Sequence, residues 1–311
     1  MIPFIRPEII RPPSESSCYF LPLTSGCSNN TCTFCRYYAS KLRMREVSEV
    51  KDEIDALALY MEHGVCLPNI PDIAYFIAQQ WDGRRIFLQD GDALVYPYPR
   101  LIDVLQYLNN KFPFLERIAA YATAQDILRR SVSELEDLRN LKLTILYMGV
   151  ESGDDEILKR VNKRVNHSQL VEAGKKVKEA GIDLSVTVIL GIGGVERSEQ
   201  NALETARILS EIDPDYTGAL TLTLRQGAPM YQEWEKGAFK PVSPFGSLKE
   251  LLTIIEKSSF TNCFLSSMHA SNYLSLRGRL PQDRLNMIGT LEYVLNKADP
   301  AILRPEILRG L

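Results

Sequence analysis

Residues 21–36 read LPLTSGCSNNTCTFCR, and the interpretation of the whole chain begins from this stretch. It holds Cys27, Cys32 and Cys35 in the spacing C-x4-C-x2-C. A disulfide would pair two of these thiols and strand the third, whereas C-x2-C suits a tight loop that points two sulfurs at one metal centre. The loop follows an apolar run at 18–23, which predicts a strand. We therefore expect the thiols at the carboxyl end of a strand, where α/β folds usually keep their chemistry.

The number of cysteines narrows the choice of metal. Structural zinc takes four protein ligands, and so does a [4Fe–4S] cluster that only carries electrons. The sequence has three histidines, His63, His167 and His269, all distant from the loop along the chain, and it has no second C-x2-C. Three cysteines on a [4Fe–4S] cluster would leave one iron open to a small molecule. A zinc site and unrelated buried thiols remain the alternatives.

Composition excludes some classes of protein. The 311 residues carry 36 Lys and Arg against 39 Asp and Glu, a net charge of −3, so we expect no basic nucleic-acid surface. Three of the six cysteines are scattered, which favours a reducing cytoplasm over a secreted disulfide framework. The N-terminus lacks the apolar segment of a signal peptide, and no apolar run reaches the ~18 residues of a membrane span.

Strand-like and helix-like patterns alternate through most of the chain. Predicted strands lie at 18–23, 85–89, 117–122, 144–150, 184–190 and 216–224. Predicted helices lie at 47–62, 100–109, 132–140, 167–180 and 199–212. Six such repeats predict a parallel sheet, because parallel neighbours need a crossover connection. Periodicity alone does not separate an open doubly wound sheet from a curved partial barrel.

Three segments are expected in the chain. Residues 1–16 are Pro-rich and predict an N-terminal wrap. Residues 17–224 form the βα region, interrupted by an insertion at 64–84. Residues 225–311 predict a C-terminal extension of helices, near 247–257 and 282–298, and loops that close the site.

Polar residues and glycines recur where the predicted strands end. Asp90–Gly91–Asp92 follows the second strand, Thr123 follows the third, and the sequences GVESG and GIGG end the fourth and fifth. Such ends build ligand sites in sheets and barrels. Taken singly, each also fits an ordinary turn, a helix N-cap or a weak phosphate-loop lookalike.

The loop GCSNNTCTFC and these strand ends together resemble the radical S-adenosylmethionine (SAM) enzyme superfamily, over about residues 17–224. Family members commonly have C-x3-C-x2-C, so this loop is one residue longer. The resemblance implies an α/β fold, a partial (β/α)6 barrel with a C-terminal, mostly helical or loop extension. It implies an oxygen-sensitive [4Fe–4S] cluster on Cys27, Cys32 and Cys35, with SAM chelated to the fourth iron. The implied activity is reductive cleavage of SAM followed by hydrogen abstraction from a small organic substrate.

The same resemblance implies roles for individual residues. Asp90, Gly91 and Asp92 would accept from the methionyl ammonium, a charge-assisted contact. The remaining expected SAM contacts are Thr123 and Glu151 at the ribose or methionyl group, Ser152 with Lys163 or Arg164 at the carboxylate, and Phe34 with Leu190 and Gly191 at adenine. The implied partners are a small-molecule substrate and an electron donor such as flavodoxin or ferredoxin.

The segment 266–279, SSMHASNYLSLRGR, predicts a polar lid over the site. We expect catalytic or substrate-binding roles for His269, Asn272, Tyr273 and Arg277, against the plainer interpretation of a structural histidine and surface charges. Two other functions stay open. One is radical SAM modification of a peptide or RNA, against which the net charge argues mildly. The other is a non-catalytic iron–sulfur or zinc protein.

Overall fold

The structure is a computed structural model that describes residues 4–37 and 41–310. Its strands are β1 Tyr19–Pro22, β2 Thr24–Ser25, β3 Arg43–Met44, β4 Arg85–Gln89, β5 Arg117–Ala122, β6 Leu143–Glu151, β7 Asp183–Leu190, β8 Tyr216–Thr221, β9 Cys263–Ser266 and β10 Arg277–Leu280. Its α-helices are α1 Val47–His63, α2 Asp72–Gln79, α3 Tyr98–Lys111, α4 Ala124–Leu128, α5 Val132–Asn140, α6 Asp155–Arg160, α7 His167–Glu179, α8 Ser198–Ile212, α9 Pro229–Glu235, α10 Pro244–Lys257 and α11 Arg284–Lys297. Short 3₁₀ turns lie at Pro13–Glu15, Pro300–Ile302 and Glu306–Leu308.

The chain divides into two compact units. The first comprises Met1–Asn30, Tyr38–Tyr147 and Lys176–Asp183. The second comprises Thr31–Tyr37, Met148–Lys175 and Leu184–Leu311. Strand β6 and helix α7 each begin in one unit and end in the other, and the cysteine loop is also divided between them. The predicted segment boundaries at 16 and 224 stay predictions.

In the first unit the sheet order is β1-β4-β5-β6. β1 runs parallel to β4, with Tyr19 opposite Ile86, and β4 runs parallel to β5. The strand residues Phe87, Leu88 and Ala119 have no exposed surface. Strands of a parallel sheet read as apolar runs because helices cover both faces. Glu15, also fully buried, accepts hydrogen bonds from Arg117 at 2.5 and 2.7 Å, which ties the N-terminal segment to β5.

In the second unit the order is β6-β7-β8-β9-β10. β7 and β8 are parallel, and so are β8 and β9, whereas β9 and β10 form an antiparallel pair. An apolar cluster in this unit comprises Ile157, Val161, Ile189, Ile192, Met230 and Phe239. The cluster therefore packs α6, the end of β7 and α9 together.

The predicted α/β class with parallel neighbours is confirmed. Strands predicted at 85–89 and 117–122 and the helix predicted at 132–140 match β4, β5 and α5 residue for residue. The insertion predicted at 64–84 contains α2, and the C-terminal extension adds β9 and β10 to the sheet as well as helices. The expectation of a loop through residues 266–279 needs correction. Arg277 and Arg279 therefore lie on β10 and not in a loop, because pairing with β9 supplies hydrogen-bond partners that local sequence does not reveal.

Candidate cofactor site

In the first unit, the turn after β4 binds the segment that contains Cys27. The amide of Gly26 donates to Oδ2 of Asp90 at 3.1 Å, and the hydroxyl of Ser28 donates to Oδ2 of Asp92 at 2.7 Å. The amide of Asp90 donates in turn to Oγ1 of Thr24 at 3.2 Å. Both carboxylates are buried. The residues on either side of Cys27 are thus bonded to the acidic turn.

A second carboxyl group lies beside Asp92. Oγ1 of Thr123, the N-cap of α4, is 2.8 Å from Oδ2 of Asp92 and 2.9 Å from Oδ2 of Asp126. Burial, and then the neighbouring Asp126, raise the pKa of Asp92 well above its usual range. The pKa of Asp126 is lowered against the effect of burial, because Asp92 and Thr123 bond to it. The two carboxyl groups therefore titrate as a pair, because each responds to the charge of the other.

In the second unit, Cys32 and Cys35 share one turn. The amide of Cys35 donates to the carbonyl of Cys32 at 3.3 Å. The intervening Thr33 is bonded on both sides: its amide donates to the carbonyl of Val161 at 3.0 Å, and its carbonyl accepts from the amide of Met230 at 2.9 Å. The end of α6 and the start of α9 therefore hold this part of the loop.

The thiol of Cys32 lies near a buried ion pair. Nζ of Lys163 donates to Oε1 of Glu151 at 2.7 Å, and both side chains are about nine-tenths withdrawn from solvent. Burial raises the pKa of Cys32 to about 11, while Lys163 opposes the shift and Glu151 adds to it. Burial also raises the pKa of Cys35. Both thiols would need a nearby cation, such as a metal ion, to become thiolates near neutral pH.

Ser152 and Gly191, which are also predicted to contact SAM, form hydrogen bonds within the protein. Ser152 donates to Oδ1 of Asn201 at 2.7 Å, and Nδ2 of Asn201 donates to Oε2 of Glu250 at 2.8 Å. The same Glu250 oxygen accepts from the amide of Gly191 at 2.8 Å. Burial raises the pKa of Glu250 against the effect of these donors. Glu250, on α10, thus fixes the turn at the end of β7.

The residues predicted to contact adenine are packed or buried, whereas the two cations predicted to bind the SAM carboxylate differ in burial. Phe34 packs on the apolar cluster of the second unit, and Leu190 is buried at the end of β7. Lys163 is buried against Glu151, whereas Arg164 is exposed and has a positive φ of 63°. Between the two cations proposed for the SAM carboxylate, burial beside Cys32 favours Lys163.

The predicted lid is anchored more than its sequence indicates. Asn272 is buried and uses its amide fully: Thr221 donates to Oδ1 at 2.8 Å, and Nδ2 donates to the carbonyls of Ala219 and Ser267 at 2.7 and 3.0 Å. Tyr273 donates to Glu306 at 2.7 Å. These contacts give both residues structural roles.

The other two predicted catalytic residues differ in exposure. Nδ1 of His269 is 2.9 Å from the hydroxyl of Ser271, and burial, with the charge of Arg304, lowers its pKa. Arg277 is exposed on β10. The catalytic role of these residues stays a prediction.

The predicted cysteine ligand set is not gathered into one group of side chains in the described residues. Across residues 4–37 and 41–310, no three His, Cys, Asp or Glu side chains gather as a set that could hold a metal ion. Cys27 lies in the first unit, and Cys32 and Cys35 lie in the second. The chemistry of the donors does fit: thiolates are the usual ligands of iron–sulfur clusters, and two of the three cysteines share one turn. The predicted ligand set rests on this chemistry and on the spacing.

Among the described helices, none has the length and apolar character needed to cross a membrane.

Comparison with known proteins identifies the family. The sequence model of the "Radical SAM superfamily" matches residues 68–206. This region of the chain is a radical SAM domain. The matched region contains Asp90, Glu151 and Gly191, whereas the cysteine loop precedes it and the predicted lid follows it. The strand ends of the radical SAM region are thus recognised independently of the cysteine spacing.

The relatives are distant. The chain is 23% identical over 250 residues to tRNA-2-methylthio-N(6)-dimethylallyladenosine synthase of Clostridium tetani (strain Massachusetts / E88), which covers 78% of this chain and 50% of that protein. The chain thus spans about half the length of the curated relatives it matches.

Two solved structures share the fold. Methylornithine synthase (PylB) aligns with a TM-score of 0.50 and 18% identity, over 78% of this chain and 63% of that one. Coproporphyrinogen III oxidase (HemN) from Escherichia coli aligns with a TM-score of 0.53 and 15% identity, over 77% and 51%.

Sequence reasoning missed several residues that form hydrogen bonds with the predicted site residues or with the cysteine loop. These are Ser28, Asp126, Val161, Asn201 and Glu250. The "GCS" start of the loop offers a polar residue next to Cys27, which is a usable signal for Ser28. Glu250 lies in an ordinary amphipathic helix, and nothing in its sequence context distinguishes it from a surface carboxylate.

Proposed function

We propose that this chain is a radical SAM enzyme that binds a [4Fe–4S] cluster through Cys27, Cys32 and Cys35 and cleaves SAM reductively. The observation that carries the proposal is the set of three cysteines within nine residues, followed along the chain by a region, 68–206, that matches the radical SAM family model. When bound and reduced, the cluster supplies the electron that breaks a C–S bond of SAM, and hydrogen abstraction from the substrate follows.

The residues of the chain would bind SAM and orient it. Lys163, an ammonium with three donors, would hold the SAM carboxylate while retaining Glu151. The turn at Gly191 would approach adenine with its backbone, since glycine has no Cβ and its φ is +79°. Glu250 would keep that turn in place through the Gly191 amide.

The proposal is tested by anaerobic reconstitution with iron and sulfide, reduction with dithionite, and assay of SAM turnover to 5′-deoxyadenosine. We expect a brown protein with about four irons per chain that releases 5′-deoxyadenosine. Cys32→Ala should abolish both iron loading and product. Cys66→Ser, at an exposed cysteine, is the matched control and should change neither. A cluster-loaded protein that leaves SAM intact would contradict the proposal and favour a non-catalytic iron–sulfur protein.

We propose a small organic molecule as the substrate class, because the net charge of −3 provides no evident nucleic-acid surface. A second candidate is a tRNA nucleoside. Several relatives are named as synthases of a tRNA nucleoside, which argues against the expectation that this chain has no nucleic-acid partner. A salt-dependent binding measurement with bulk tRNA separates the two. Binding that weakens steeply as salt rises would favour tRNA.

The electron donor would be a small redox protein such as flavodoxin or ferredoxin. A reducing cytoplasm is the proposed location, because scattered cysteines and an oxygen-sensitive cluster both require a reducing compartment. Substituting a reduced flavodoxin for dithionite in the 5′-deoxyadenosine assay tests the donor.

A further inference from the structure

Alternate residues of the segment around Cys27 form hydrogen bonds with the turn after β4, through the side chains of Thr24 and Ser28 and the amide of Gly26. Thr24 accepts from the Asp90 amide at 3.2 Å, Gly26 donates to the Asp90 carboxylate at 3.1 Å, and Ser28 donates to the Asp92 carboxyl at 2.7 Å. All these groups belong to the first unit. Three bonds to one turn fix the direction of the backbone on both sides of Cys27.

The turn itself is a rigid support. Asp90 and Asp92 are 2% and 0% exposed, so water competes little for their oxygens. Oδ1 of Asp92 accepts from the amide of Leu94 at 3.0 Å, and its Oδ2 lies 2.8 Å from the Thr123 hydroxyl. Because both oxygens of Asp92 are engaged, its carboxyl group cannot rotate away from Ser28.

The hydroxyl of Thr123 also bridges two carboxyl groups, as described above for Asp92 and Asp126. A hydroxyl has one proton to donate, so it can donate to one carboxyl and must accept from the other. Thr123 thus joins the two carboxyl groups, and Oδ2 of Asp92 also accepts from the Ser28 hydroxyl.

We propose that Asp90 and Asp92 are positioning residues for Cys27, acting through Gly26 and Ser28. The inference rests on the proposed function, since it concerns the cysteine that would ligate the cluster. The position of Cys27 depends on Ser28, a residue that has no expected contact with SAM.

The experiment compares Ser28→Ala, Asp92→Asn and the matched control Ser48→Ala, an exposed serine of α1. The first readout is alkylation of the iron-free protein with iodoacetamide, followed by peptide mass spectrometry, with the exposed Cys66 as internal reference. The second is iron per chain and the electron paramagnetic resonance signal after anaerobic reconstitution. The third is the Kd of SAM for the loaded protein.

We expect Ser28→Ala to raise the alkylation rate of Cys27 relative to Cys66 by about fivefold, the factor given by the loss of one ordinary hydrogen bond. Its iron content should fall, and the signal of any remaining cluster should shift. Asp92→Asn replaces one of the two accepting oxygens by an NH2 group, which would face the Leu94 amide or the Ser28 and Thr123 donors. It should therefore also raise the alkylation rate of Cys27 and lower the iron content. Ser48→Ala should match the wild type.

Two results would overturn the inference. One is wild-type alkylation and iron loading in Ser28→Ala. The other is an Asp92→Asn protein with wild-type alkylation and iron loading that binds SAM much more weakly, which would assign Asp92 to SAM binding and not to the position of Cys27. If the wild type itself loads no iron, the proposed function fails, while the alkylation of the iron-free protein still tests the hydrogen bonds to Asp90 and Asp92.

Discussion

Nζ of Lys163 lies 2.7 Å from Oε1 of Glu151, and the two side chains form a buried ion pair next to Cys32. Glu151 takes a left-handed backbone conformation, with φ of +66°, at the end of β6. Its carboxylate lies over Gly149, where an added Cβ would come within 2.1 Å of Oε1. The pair thus depends on a glycine two residues before Glu151.

Breaking this pair on one side should be costly. Lys163→Met leaves the Glu151 carboxylate buried without its cation, and we expect a loss of about 3 kcal/mol in the free energy of unfolding. The double variant Glu151→Gln with Lys163→Met should recover part of that loss, because no lone charge remains. Urea denaturation of the three proteins measures both effects. If the single and double variants are equally stable, the unpaired Glu151 carboxylate is not the cause of the lost stability.

Gly153 is expected to tolerate no side chain. A Cβ there would lie 2.0 Å from the carbonyl oxygen of Glu204 and 2.8 Å from the amide of Thr205, both backbone atoms of α8. Gly153→Ala should therefore force the chain apart and cost about 3 kcal/mol or more. Gly218→Ala is the control in the same unit, since its Cβ would have no neighbour closer than 3.8 Å. Thermal unfolding that ranks the two variants alike would refute the prediction.

Substitution of Asn272 should lower the stability of the fold and should not act directly on the reaction. Asn272→Ala removes three hydrogen bonds to buried partners on and near β8, and we expect a loss of about 2 kcal/mol. Exposed Arg277→Ala is the comparison, with a change of about 0.5 kcal/mol or less. Activity should be measured below the transition of each variant. Loss of turnover by Asn272→Ala at full stability would instead support the catalytic role predicted from the sequence.

The loop at His269 should loosen in acid. Burial and Arg304 lower the pKa of this histidine from 6.5, so the folded state disfavours its protonated form. The stability it contributes is present above pH 6.5 and is lost as pH falls below that value toward the lowered pKa. His269→Asn should flatten this part of the profile. Unfolding measured between pH 5 and 8 checks the slope, and identical slopes in both proteins would contradict the prediction.

Local interactions made much of the fold predictable. The boundaries of β4, β5 and α5 follow from short-range signals: β-branched and apolar runs define the strands, and a capping box of Ser131 with Glu134 starts the helix. β9 and β10 were missed because two four-residue strands acquire their identity only by pairing with each other and with β8. Strand β8 ends at Thr221, three residues before the predicted end.

By itself, the sequence determined the alternation of the six predicted strands with helices, the cysteine spacing and the resemblance to radical SAM enzymes, because local periodicity and short motifs carry these features. Tertiary structure decided which groups become partners. Asp92 bonds to Ser28 and Lys163 to Glu151, while Asn272 bonds to Thr221. Each choice depends on how distant segments pack and on which polar groups are buried together, since a buried group must find a partner wherever the fold supplies one.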